Sequence, residues 1–90
     1  MQNNDLIGKV VLSKAGRDIN HLYVIVGSVD SNTVLLSNGS NKVIGKPKKK
    51  KLKHLEILYN IDEEILTAII NNDKSINLKI KRFFKLKMHC

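Results

Sequence analysis

Ninety residues with a formal net charge of +8 and a pI near 9.8 describe one small, basic domain. A chain of this length buries only ~60% of its unfolded surface, which argues against a deep cavity ringed by catalytic groups. With 42% apolar and 27% charged residues it is not disordered by composition, and no apolar run approaches the ~18 residues of a membrane-spanning helix.

The start, Met1-Gln2-Asn3-Asn4-Asp5, has neither a basic region nor an apolar one behind it, so no secretory signal is expected. Ile7-Gly8-Lys9-Val10-Val11-Leu12 is short and β-branched, which predicts a first strand over 7–12. Residues 13–20 form a turn-rich break. Leu22 to Val29 is the most β-prone segment, and its start is apolar on both faces, as in a strand covered on both sides. Asp30-Ser31-Asn32 predicts a compact hairpin turn, with 33–36 as the returning strand. Asn38-Gly39 is the strongest two-residue hairpin signal, since both residues accept positive φ. It predicts a fourth strand over 40–44, stopped by Gly45 and Pro47. Leu55, Ile57 and Tyr59 alternate with His54, Glu56 and Leu58 as a fifth. Five short strands joined by tight turns predict a small antiparallel barrel or sandwich, since closure removes aggregation-prone edges.

From residue 60 the period changes. Asn60 with Glu63 reads as an N-cap and capping box, and Asp62, Glu63 and Glu64 suit the positive end of a helix dipole. Ile61, Ile65, Leu66, Ile69 and Ile70 form one apolar stripe that Asn71-Asn72-Asp73 ends; its expected role is core packing. The last segment has two readings. Ile76, Leu78, Ile80, Phe84, Leu86 and Met88 share a strand parity, whereas Ile76, Ile80, Phe83 and Phe84 share a helical face with Leu78 opposite.

The charge is concentrated rather than spread. Residues 1–45 carry a net +1, residues 46–60 a net +5 and residues 61–90 a net +2. Lys46, Lys48, Lys49, Lys50, Lys51 and Lys53 repel one another and are stable only when solvated or facing a polyanion. Pro47 favours an extended chain that strings the ammonium groups along a line, as contact with a phosphate backbone requires. A solvated loop and a targeting signal are the other readings of such a block. Lysine rather than arginine suits point-charge phosphate contact over base reading. Between the first two strands, Lys14 and Arg17 flank Gly16, which is either a contact loop or an ordinary turn with an exposed Arg17-Asp18 pair.

His21, His54, His89 and Cys90 lack the paired short spacing of a zinc site, so no metal and no cofactor is expected. Cys90, the single cysteine, cannot close an internal disulfide, which fits a reducing compartment; as a terminal residue it is also no expected nucleophile. No catalytic residues and no enzymatic activity are expected. Aromatics are 4% of the chain, so base stacking is expected to be minor.

Gly8-Lys9-Val10-Val11-Leu12-Ser13-Lys14-Ala15-Gly16-Arg17-Asp18 followed by Tyr23-Val24-Ile25-Val26 resembles the KOW motif, two short strands joined by a Gly-containing loop. The stretch 6–58, with Leu36-Ser37-Asn38-Gly39 and the run ending in Lys53-His54-Leu55, is similar to KOW-domain RNA-binding proteins related to archaeal and eukaryotic large-subunit ribosomal proteins. Where that family usually has a glycine before the second strand stands Asn20, the commonest non-glycine residue in a left-handed backbone. The resemblance implies a mostly β fold: a five-stranded SH3-like barrel over 1–59, then a C-terminal helical appendage over 60–90. It implies a second helix near 77–87, with Lys79, Lys81, Arg82, Lys85 and Lys87 as a secondary basic face. It also implies RNA contact at Lys14, Arg17, Lys46, Lys48, Lys49, Lys50, Lys51 and Lys53. The expected function is docking on structured RNA, ribosomal RNA foremost, by a cytoplasmic, ribosome-associated monomer that binds no membrane. The alternative is a protein-interaction module, using a barrel edge or Phe83-Phe84, with a solubilising lysine loop.

Overall fold

The computed structural model describes residues 4–17, 19–40 and 42–88; Asp18 of the KOW-like stretch, His89 and Cys90 lie outside the described residues. A 3-10 turn over Asn4–Leu6 leads into β1 (Lys9–Ser13), β2 (Leu22–Ser28), β3 (Thr33–Ser37), β4 (Lys48–Lys51) and β5 (Leu55–Asn60). Two helices follow, α1 (Glu63–Ile70) and α2 (Ile76–Met88). The strands form one antiparallel sheet in the order β4-β3-β2-β1-β5. Register shifts at Val10/Val11 and Ile25/Gly27 are the irregularities that curl such a sheet into a small SH3-like barrel.

β2 is covered on both faces, as its composition requires. Tyr23 and Ile25 pack with Val11, Val34 and Leu36 inside the barrel. Val24, opposite Val10 on β1, belongs to a second cluster on the outer face, completed by the helices. The helices therefore share a core with the sheet.

Five strands form, but only four lie where expected: no strand is found among the described residues of 40–44, and β4 is Lys48–Lys51 instead. Residues 42–44 lie in a loop held by local backbone turns and by side chains rather than by a ladder. Asn38 Oδ1 accepts from the Ser40 and Lys42 amides at 2.9 and 3.0 Å, and Ser37 Oγ donates to the Lys42 carbonyl at 2.7 Å. The Ile44 amide donates to Asn77 Oδ1 on α2 at 2.8 Å. Asn38-Gly39 is thus the start of an anchored loop, not a two-residue hairpin. The strand is the lysine run itself, with Thr33↔Lys51 and Leu36↔Lys48 in register. An edge strand accommodates four lysines because one side of it stays in water, and lysines on an edge discourage pairing with another chain.

The Asp30 turn forms as expected, with the Asp30 side chain accepting from the Asn32 amide at 2.8 Å. That bond holds the Asp30 carboxyl below the ordinary carboxylate value.

Asn60 ends β5 rather than capping α1, because it pairs with Lys9 in the ladder and its Oδ1 accepts from Lys9 Nζ at 2.7 Å. Asp62 takes the cap position, without a side-chain cap bond. Ile61, Ile65 and Ile69 are buried as the stripe requires, while Ile70 is exposed. The helix stops in a Schellman motif. Asn72 adopts φ +55°, and the Asp73 and Asn72 amides donate to the Ala68 and Ile69 carbonyls.

The last segment is a helix, and its pattern resolves on the helical face. Ile76, Ile80, Phe83 and Phe84 are buried and Leu78 is exposed. Each buried side chain contributes ~1.5–3 kcal/mol by leaving water, which a solitary strand beyond α1 would not recover. Phe83 and Phe84 meet edge to face at 5.3 Å.

Asp73 prepares the start of α2. Its Oδ1 accepts from the Ser75 amide and hydroxyl, both at 2.8 Å, and its Oδ2 pairs with Lys79 Nζ at 3.3 Å. The Ser75 amide foremost, then the Ser75 hydroxyl and Lys79, hold the carboxyl at about 2. A depressed carboxylate stabilises the fold fully above its unfolded value of 3.8 and stops doing so as pH falls through about 2. Denaturant midpoints are therefore expected to decline between about pH 4 and pH 2, and Asp73→Asn should flatten that decline; an equal decline in the variant would refute the assignment.

Candidate nucleic-acid interface

The loop from β1 to β2 is held by its own backbone. Gly16 and Asn20 both take positive φ, +87° and +69°, so asparagine does supply the left-handed turn expected of it. The Asn20 amide donates to the Ser13 carbonyl at 2.7 Å, and the Ser13 amide to the His21 carbonyl at 3.0 Å. Lys14 and Arg17 lie exposed on this loop.

Two bonds fasten the loop to the lysine-rich region, which is distant in sequence. The Lys14 amide donates to the His54 carbonyl at 2.9 Å, in the 3-10 turn Leu52–His54 between β4 and β5. Lys50 Nζ donates to the Ala15 carbonyl at 2.7 Å. Lys14 Nζ also lies 3.9 Å from Glu56 Oε1, but both side chains are more than half exposed, so the pair is weak and yields readily to a phosphate.

The eight expected contact residues divide into groups. Strand alternation puts Lys48 and Lys50 on the face of Val34 and Leu36, half-buried, with Lys50 committed to the loop. Lys49 and Lys51 are exposed on the opposite face, separated by one pleat repeat of ~6.8 Å. Lys46 and Lys53 are exposed at the two ends of the strand. A groove lined by Thr33, the four lysines of β4 and His54 runs along this edge. The structure thus joins loop and strand at one end of the barrel, but the lysines of β4 do not form a single-faced strip.

Tyr23, Phe83 and Phe84 are buried and offer no stacking platform. Lys81, Arg82 and Lys85 are exposed on α2, whereas Lys79 is engaged with Asp73. Missed altogether in the sequence is a cavity of about 650 Å³ between the end of the β1–β2 loop, the β3–β4 loop and α2. Asn20, His21 and Ser40 line it together with Lys81 and Lys85. No local signal announces it, because its walls come from three separate segments. Among the described residues, no helix is long and apolar enough to cross a membrane.

No protein-family profile matches the chain. Over 73 residues it is 33% identical to large ribosomal subunit protein eL14 of Staphylothermus marinus, an alignment spanning 72% of this chain and 76% of that protein.

Proposed function

This chain belongs to the family of large ribosomal subunit protein eL14, and from that premise we propose that it docks on ribosomal RNA as a ribosome-associated protein of the cytoplasm. The barrel over 1–59 is the docking module and the helical segment over 60–90 supports it. Lys14 and Arg17 on the loop, with Lys46, Lys49, Lys51 and Lys53 around the edge strand, meet phosphates as point charges. Lys48 and Lys50 add charge from the other face of β4.

The observation that carries this reading is the 2.7 Å bond from Lys50 Nζ to the Ala15 carbonyl, which ties the cationic loop to the lysine strand at one end of the barrel. Preorganised cations lose little freedom when a phosphate backbone arrives. A protein-interaction module is not favoured, since Phe83 and Phe84 are committed to the core. No catalytic step is assigned to any residue.

Titration of the full chain with ribosomal RNA fragments across a salt series tests the proposal. Each single-stranded phosphate contact adds about −0.7 to the slope of log affinity against log salt, so five to seven contacts give roughly −4. A flat response would refute phosphate docking.

A further inference from the structure

The cavity beside α2 has a composition that phosphate docking alone does not use. Leu22, half-buried, and Phe84, almost wholly buried, give it an apolar floor. Lys81 and Lys85 stand on its rim, four residues apart on α2 and so one above the other on the same helical face. Among the described residues no carboxylate pairs with either ammonium group. Like charges at this spacing destabilise a helix slightly unless an anion lies between them. Across the cavity stand the His21 imidazole and the Ser40 hydroxyl, both exposed.

We infer that this cavity receives a single unstacked nucleotide of the bound RNA, with its phosphate between Lys81 and Lys85 and its base over Leu22 and the edge of Phe84. The inference rests on the RNA-docking reading above. The volume of about 650 Å³ lies in the ~300–1,000 Å³ range of small-molecule sites. A bare anion would leave the apolar floor uncovered, and an apolar guest would leave two ammonium groups without a counter-charge. A nucleotide has both halves: a flat, largely apolar ring and an attached phosphate. His21 and Ser40 supply donors and acceptors for the edge of a base, as single-stranded RNA recognition requires.

The location agrees. Asn20 and His21 end the same loop that carries Lys14 and Arg17, so an RNA strand crossing the loop reaches the cavity within a few residues. The bond from Lys50 fastens one side of the loop, and the cavity opens beside its other end. α2 then acts as a second wall of one interface, which gives its cations a definite target.

The test is amide NMR of the full chain titrated with uridine 5′-monophosphate, adenosine 5′-monophosphate and inorganic phosphate. The nucleotides are expected to move the Asn20, His21, Ser40 and Lys81 amides and to bind about ten-fold more tightly than inorganic phosphate, the increment that covering about 60 Å² of apolar surface supplies. The double variant Lys81→Glu/Lys85→Glu should abolish these shifts, and Ser40→Trp, which fills the mouth from an exposed position, should do so without altering charge. Equal binding of phosphate and nucleotides, shifts confined to β4, or shifts unchanged in both variants would overturn the inference. The salt slope with ribosomal RNA fragments separates the two readings. If it persists while the cavity ignores nucleotides, only the nucleotide site fails. If it vanishes while nucleotides still shift the cavity amides, the docking reading fails instead.

Discussion

Replacing Lys14, Arg17, Lys49 and Lys51 together by alanine is expected to weaken ribosomal RNA binding about two-hundred-fold at 0.15 M salt. A contact with a slope of about 0.7 is worth roughly four-fold between 0.15 M and 1 M salt, and four such contacts multiply. The slope itself should fall by about 3, and this change marks lost phosphate contacts rather than a disturbed fold. All four side chains are exposed, so each substitution should change stability by no more than ~0.5 kcal/mol. Lys50→Met is the informative contrast. Its ammonium group is tied to the Ala15 carbonyl, so its loss should also free the loop and broaden the Lys14 and Gly16 amide signals. A quadruple variant that binds with unchanged slope would place the RNA elsewhere on the molecule. Fluorescence anisotropy over a salt series, with circular dichroism to check folding, measures both quantities.

Gly39→Ala is expected to be the most damaging single methyl group in the chain, at about 2–5 kcal/mol. Gly39 is buried with φ +75°, a backbone that an L-residue adopts at a cost of ~1–2 kcal/mol. Its missing side chain is also where α2 passes. A Cβ there would fall on the Asn77 carbonyl and the Lys81 amide, with Ile80 Cβ at 3.1 Å. Backbone atoms cannot rotate aside, so the helix must shift, and overpacking of this kind adds ~1–3 kcal/mol. Against a total of ~0.05–0.15 kcal/mol per residue, that is a large share of the stability of a ninety-residue chain. Gly45→Ala is the control: nothing lies within 4 Å of its Cβ position and its φ is not positive, so it should change little. Urea unfolding distinguishes them, and a Gly39→Ala midpoint equal to that of Gly45→Ala would refute the close-approach argument. Gly39 lies between Asn38 and Ser40, which both line the cavity beside α2, so the variant should lose the nucleotide-induced shifts there as well.

Local chemistry made much of this architecture legible. The β-branched run Leu22–Ser28, apolar on both faces, became the strand shared by both cores. Asn20 could be matched to a left-handed turn because an asparagine side chain tolerates positive φ, and it adopts φ +69°. The helical stripe of α1 was readable because Ile61, Ile65 and Ile69 repeat at the spacing of one face. Where sequence reasoning went astray, the deciding interactions were long-range. Asn38-Gly39 has hairpin chemistry, but the segment after it is held by Asn77, thirty-three residues from Ile44, and so it does not form a strand. Four consecutive lysines have little intrinsic preference for a strand. They form one because β3 offers an unpaired edge at the right distance along the chain.

The same division holds for the candidate interface. The sequence alone determined that the cations cluster, since the net +5 of residues 46–60 depends on no folding. It also determined that Lys14 and Arg17 occupy a turn. Tertiary structure alone decided which ammonium groups face outward, because strand alternation and the reach of Lys50 to Ala15 are set by pairing with β3 and by the β1–β2 loop folding against β4. It alone decided that the helices complete a core and a cavity with the sheet. The reason is physical: charge and turn propensity belong to neighbouring residues, whereas a cavity wall belongs to whichever distant segments bury their apolar faces together.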